Sequence, residues 1–270
     1  MPPAKPDRPS LCAVVGEEKV ALLDSGASSA HARECLEQLA VFGVANPDFT
    51  ILTHAHWDHV FGATEIGAPV IAQKLTAEKL IEMATRDWSD EGLDAQVALG
   101  LENEKSTKAI RVEVPSPREV RIAQAEITFE DSYLLDLGSV RCEIRHIGGD
   151  HAADSSVIFV EPDRVFFLGD SLCSDFYTSR PRYSVEKLGP LLDKVEEFEA
   201  DHFIEGHEEK VISPGDFQEE VALMRSAIEI VSESGPDRQA ALSVFQRNHG
   251  QDPDEDMAFY LRALCENEPN

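Results

Sequence analysis

The sequence has no run of about 18 apolar residues, which excludes a membrane-spanning helix. Its first nine residues, Met1-Pro2-Pro3-Ala4-Lys5-Pro6-Asp7-Arg8-Pro9, read as a Pro-rich arm without the apolar stretch of a secretory signal. The five cysteines (Cys12, Cys35, Cys142, Cys173, Cys265) are odd in number and show no CxxC spacing, so a disulfide framework is not indicated. Small buried thiols in a reducing cytoplasm are the simplest reading, and the expected location is cytoplasmic. Positive charge is scarce as well. Lys and Arg total 24 against 51 Asp and Glu, a formal net charge of −27. Tight nucleic-acid binding draws on clustered Lys and Arg, and none is seen. Nucleic acid and anionic membrane surfaces are therefore not expected as partners. The expected partner is a small molecule.

What is present is an ordinary globular interior, 42% hydrophobic over 270 residues, enough for one substantial α/β domain with an appendage. Strands are predicted at Val20–Asp24, Phe49–Thr53, Val70–Ala72, Glu119–Ala123, Ala125–Glu130, Val140–Arg145, Ser156–Val160, Val165–Leu168 and His202–Ile204. Helices are predicted over residues 31–42, Thr76–Ala84, Glu186–Glu199 and Phe217–Ser232. Residues 87–118 read as a charged insertion with some helix. From Gly235 the pattern is helical and acidic. The expected organisation is an arm over 1–9, a main domain over 10–234 and a helical extension over 235–270. That extension could cap the pocket, cover the sheet or support a homodimer. No internal repeat or low-complexity segment is found. Strands and helices in mixed order indicate an α/β or α+β class.

The strongest local signal is Thr53-His54-Ala55-His56-Trp57-Asp58-His59, directly after a predicted strand. His54 and His56 alternate with Ala55 and Trp57, so in extended chain they share a face. Asp58 and His59 then turn away and can reach a second ion nearby. Imidazole nitrogen and carboxylate oxygen are the donors that zinc accepts. Three further segments each end a strand in one donor: Gly148-Gly149-Asp150-His151, Phe166-Phe167-Leu168-Gly169-Asp170 and Phe203-Ile204-Glu205-Gly206-His207. Strand ends are where loops gather to build sites on such scaffolds. His146 competes with His151 for the third place. His151 is preferred because it follows the strand and its glycines rather than lying within the strand.

In order and type these segments, with the turn Asp24-Ser25-Gly26 before them, resemble the metallo-β-lactamase superfamily over about residues 20–210. The resemblance implies a four-layer αββα sandwich. It also implies that His54, His56 and His151 hold one metal and Asp58, His59 and His207 the other, with Asp170 bridging. Two Zn2+ are the implied cofactors, with iron or manganese as alternatives. The loop Gly148–Ser155 departs from the Thr-Pro-Gly-His-Thr-like stretch of many relatives, which leaves its shape open.

The implied activity is hydrolysis of a small ester, thioester or lactone by a hydroxide bridging the metals. Asp58 is the candidate catalytic residue, as a proton shuttle as well as a ligand. A single-iron sulfur-compound dioxygenase and a β-lactam hydrolase are the alternatives on the same fold. Asp24 either orients the ligand loop or is an ordinary turn residue. Trp57 either lines the pocket or packs beneath the loop. Ser171, Cys173, Phe176 and Tyr177 follow Asp170 and are candidates for the pocket wall; Trp57, Cys173 and Tyr177 are the candidate substrate contacts. His31, His202 and His249 have no ligand-like context.

Overall fold

The computed structural model describes residues 8–265 except 179 and 209; most of the N-terminal arm and the last five residues of the extension lie outside the described residues. Ten strands among the described residues form two sheets. In the first sheet β1 (Cys12–Val15) pairs antiparallel with β2 (Val20–Leu23), and β3 (Phe49–Ile51), β4 (Val70–Gln73) and β5 (Ala125–Phe129) follow in parallel. In the second, β6 (Ser132–Asp136), β7 (Arg141–His146), β8 (Ser156–Glu161) and β9 (Val165–Gly169) run antiparallel, and β10 (His202–Glu205) adds in parallel to β9.

Strand periodicity sorts the side chains between layers. In β2, Ala21 and Leu23 face the second sheet, while Leu22 turns to the outside with Leu11 and Cys35. In β9, Phe167 enters the layer between the sheets, while Phe166 and Leu168 join the outer apolar cluster. All three of these β9 residues are fully buried, so both faces of the strand are covered. That continuous apolar run is the pattern of a strand inside a sandwich rather than at a surface.

The outer face of the first sheet carries α1 (Ser29–Val41), two single-turn helices α2 (Trp57–Val60) and α3 (Ala63–Ile66), and α4 (Lys74–Met83). The insertion supplies α5 (Asp90–Ala98) and α6 (Glu104–Glu113). Ser28, Ser89 and Asn103 cap α1, α5 and α6 by accepting a backbone N–H three residues on. The outer face of the second sheet carries α7 (Val185–Val195) and α8 (Pro214–Ser234). Residues from α9 (Arg238–His249) and α10 (Glu255–Leu264), including Phe245, Tyr260 and Leu261, share one apolar cluster with β8, β9 and α8. The chain is a mixed α/β sandwich of two sheets between helices. No helix among the described residues is long and apolar enough to cross a membrane.

Two differences from the sequence expectations have physical causes. Residues 119–123 are not a strand. Val120, Ile122 and Ala123 pack against the cluster around Trp88 and Leu93, so the apolar alternation reports burial without a neighbouring strand to bond. Conversely, β1 and β6 were not expected. Each is the edge of its sheet and buries a single residue fully, so neither carries the continuous run of core positions seen in β2 and β8.

Candidate metal centre

The donor-bearing segments all arrive at one end of the sandwich because each follows a strand end. β3 delivers His54 to His59, β7 leads to the loop with His151, β9 ends at Asp170 and β10 leads to His207. Two groups form: His54, His56 and His151; and Asp58, His59, Asp170 and His207. Within each group one donor atom per residue lies within 4.8 Å of the others. Asp170 links the groups. Its Oδ2 stands 3.3 Å from His59 Nε2, 3.3 Å from His207 Nε2 and 3.5 Å from His151 Nε2. Asp58 Oδ2 lies 3.1 Å from His207 Nε2 and 3.4 Å from His59 Nε2.

Hydrogen bonds behind the rings set which nitrogen faces inward. His151 Nδ1 lies 3.3 Å from the Ser174 carbonyl, which only accepts, so Nδ1 carries the proton and Nε2 a lone pair. His59 donates from Nδ1 to Asp24 Oδ2 at 2.8 Å. The Thr53 hydroxyl bonds to Asp24, leaving its oxygen to accept from His54 Nδ1 at 3.0 Å. Three imidazoles thus turn Nε2 to the centre. Orienting partners of this kind hold metal-binding histidines in place. The two facing nitrogens His54 Nε2 and His151 Nε2 are only 3.2 Å apart. Asp170 Oδ1 is buried with no hydrogen-bond partner among the described residues. Converging lone pairs and an orphaned buried carboxylate oxygen are what a cation resolves. The donor set fits divalent metal ions.

Charge states in the metal-free chain agree with this. Burial lowers His54 and His151 below the usual imidazole range and brings His56 down to about 3. His207 is only part-buried, and the Asp170 and Asp58 carboxylates outweigh its partial desolvation and raise it to about 10. For His59, Asp170, Asp58 and Asp24 likewise outweigh burial and raise it well above 6.5. The same imidazoles hold Asp58 and Asp170 below the usual carboxylate range despite their burial. Protons on His59 and His207 supply positive charge that bound metal would otherwise provide.

This has a consequence for stability in the chelated protein. His207, with its pKa raised from 6.5 to about 10, contributes stability that is complete below 6.5 and lost as pH rises through 10. His56, with its pKa lowered to about 3, opposes folding as pH falls from 6.5 toward that value. The thermal midpoint of chelated protein is expected to peak near neutrality and fall on both sides. Added zinc should hold up the alkaline side, because metal replaces the protons being lost. A chelated midpoint that rises steadily from pH 7 to 9 would contradict this.

Asp24 is buried in the left-handed region (φ 58), unusual for a non-glycine. The side chain accounts for it: besides His59, it accepts the Thr53 N–H at 2.8 Å. Asp24 therefore orients the ligand loop and is not an ordinary turn residue. His146 stays outside the centre and donates to the Ala153 carbonyl at 2.9 Å, bracing the loop that carries His151. That loop needs its glycines, since Gly149 sits at φ 126. Trp57 is buried against Phe61, with ring centroids 5.7 Å apart, and also contributes to the wall of the cavity over the centre. Gly206 is also required, because a Cβ there would stand 1.8 Å from Asp170 Oδ1.

A cavity of about 290 Å³ opens over the centre, lined by Asp58, Asp170, Cys173, Phe176, Tyr177 and His207 among others. Burial pushes Cys173 well above the usual thiol range, so it remains a neutral thiol at working pH. Tyr177 lies 5.2 Å from the His56 ring and donates to Glu102 Oε2 at 3.2 Å. His31 is buried away from the centre, and its Nδ1 accepts the Ala27 N–H. His202 and His249 are exposed.

Several residues of the site were not found by sequence reasoning. Asp154 is fully buried; it accepts the Ala55 N–H at 2.9 Å and pairs with Lys79 at 2.6 Å, fixing the backbone between His54 and His56. Its only signal is an acid among small residues just before the apolar run of residues 157–160 in β8. Asn103, Lys105 and Ser106 of the insertion line the cavity and carried no signal.

The sequence profile of the metallo-beta-lactamase superfamily matches residues 6–220. The chain belongs to the metallo-beta-lactamase superfamily. Solved members of this fold surround it. A metallo-beta-lactamase family protein from Thermus thermophilus is 20% identical, with a TM-score of 0.57 over 96% of this chain and 88% of that one. A metallo-beta-lactamase from Pontibacter korlensis is 16% identical, with a TM-score of 0.55 over 79% and 85%. A variant of the sec-alkyl sulfatase PisA1 is 15% identical, with a TM-score of 0.61 over 97% of this chain and 49% of that one. No curated protein sequence matches the chain. Likenesses at these identities establish the superfamily fold and leave the substrate to the site itself.

Proposed function

We propose that this superfamily member is a dinuclear zinc-dependent hydrolase of small esters, thioesters or lactones. The observation that carries the reading is Asp170, whose one carboxylate oxygen lies within 3.5 Å of imidazole nitrogens from both donor groups. In this reading His54, His56 and His151 hold one ion, Asp58, His59 and His207 the other, and Asp170 both. Bound zinc supplies a water acidified from 15.7 toward about 7 and positive charge for a developing oxyanion.

The chain's own groups do the rest. Asp58 lines the cavity and in this reading would take the proton of the attacking water and return it to the leaving group. Asp24, Thr53 and Ser174 hold the rings so that Nε2 lone pairs stay aimed inward. Tyr177 and Cys173, both neutral, form walls against which a substrate rests. A cavity of this size suits a small molecule, and a net charge of −27 disfavours a polyanion. The five free thiols support a reducing, cytoplasmic setting. In the same reading residues 10–234 are the hydrolase unit and 235–270 a helical extension.

The test is a panel of thioester, ester, lactone, phosphodiester and β-lactam substrates, run on zinc-loaded and chelated protein. Turnover of a carboxylic ester, thioester or lactone only when zinc is bound is the expected result. Full turnover after chelation, or activity confined to iron-loaded protein consuming oxygen, would refute it.

A further inference from the structure

The insertion that carries α5 and α6 places one lysine over the cavity. Of the residues lining it, Lys105 alone is a lysine or arginine. Neighbouring cations are occupied: Lys108 pairs with Glu104, Lys79 with Asp154, Arg86 with Glu102 and Lys187 with Asp150. Lys105 has no carboxylate within the 4.0 Å of an ion pair among the described residues, in a chain with more than twice as many acids as bases. Its ammonium lies 5.3 Å from the centroid of the Phe176 ring. That ring is in turn 6.0 Å from His151. The ammonium is therefore no farther from the His151 ring centroid than those two distances together.

We propose that Lys105 recognises a carboxylate on the substrate, so that the site selects esters or thioesters bearing a second, unreactive carboxylate a few bonds from the carbonyl that is cleaved. The inference rests on the hydrolase reading and names its substrate class. A single ammonium matches one monoanionic carboxylate; a phosphate dianion calls for more positive charge than this wall offers. Phe176, beside it, accepts the apolar carbons between the two ends of such a substrate. The global field of a protein of charge −27 opposes any anion, so a preference for one must be generated locally. Lys105 is the cavity's means of doing so.

Matched substrates test this on the full-length, zinc-loaded protein. One pair is 4-nitrophenyl hydrogen glutarate and 4-nitrophenyl valerate, with the charge on the acyl side. The other is the thioacetates of 4-mercaptobutanoate and of pentanethiol, with the charge on the leaving group. The acid is expected to be preferred in at least one pair. In Lys105→Ala that ratio of kcat/KM should fall about tenfold, the size of a charge-assisted contact open to solvent. Lys105→Arg should keep the preference and Lys105→Glu reverse it. Lys108→Ala, one turn on and already paired, should keep it too. A neutral preference in both pairs, or a ratio unmoved in Lys105→Ala, overturns the proposal. If no member of either pair is turned over, the hydrolase reading fails for these esters. Calorimetry with the monoamide of glutaric acid and with valeramide then decides on Lys105 alone. Tighter binding of the acid that is lost in Lys105→Ala supports it, and equal affinities overturn it.

Discussion

Asp170→Ala is expected to lose metal and turnover together. The replaced carboxylate faces His59, His151 and His207 at 3.3–3.5 Å and so touches imidazoles of both donor groups. At an effective dielectric near 20, one unit charge about 4 Å from another is worth roughly 4 kcal/mol, or about 10³ in an equilibrium constant. A divalent cation feels twice that charge product, so the loss is not confined to a small change in affinity. Elemental analysis of dialysed protein should give one metal ion or fewer per chain where the parent gives two. Turnover should drop by about 10³-fold, as when a main stabiliser of transition-state charge is removed. The variant should still fold, since the surrounding strands bury their apolar faces without Asp170. Two retained ions with full turnover would remove the basis of the functional reading.

Arg8→Ala is expected to be the most damaging substitution away from the metal centre. Arg8 is completely buried. Its guanidinium donates to both oxygens of Glu113 at 2.6–2.9 Å and to Glu34 at 2.8 Å, tying the start of the chain to α6 and α1. Truncation takes this cation from the buried Glu113 carboxylate, to which Ser28 also donates, and breaking a buried pair of this kind costs up to about 3–5 kcal/mol. In a chain of this size each kcal/mol moves the thermal midpoint by about 2–4 °C, so a fall of roughly 6–20 °C should be seen by calorimetry. Replacing both partners by apolar residues, Arg8→Met with Glu113→Leu, should recover much of the loss, because no uncompensated charge then remains. A shift below about 2 °C in Arg8→Ala would show that the pair is solvated and adds little. Because α6 also carries Lys105, this clamp holds the insertion that walls the cavity.

Order along the chain was enough to pick out the donor-type side chains that the fold brings together and the strands that deliver them. His54, His56, Asp58, His59, His151, Asp170 and His207 were legible because each is a metal-type donor in a loop that follows a strand readable in the sequence. The order of those segments also pointed to the superfamily. Whatever depends on a partner distant in the chain had to wait for the folded arrangement. That Asp24 sets the ring of His59, that Asp154 fixes the backbone at Ala55, and that His146 braces a loop while His151 joins the centre are contacts across 7 to 99 residues. A hydrogen bond leaves no periodic trace in either partner's neighbourhood, so no pattern along the chain announces it. The same holds for Glu113 and Lys105, read from the sequence as charges on a polar insertion. Only folding showed that the first is buried against Arg8 and the second hangs over the site, because whether a charge meets water, an ion partner or a cavity is settled by what packs around it.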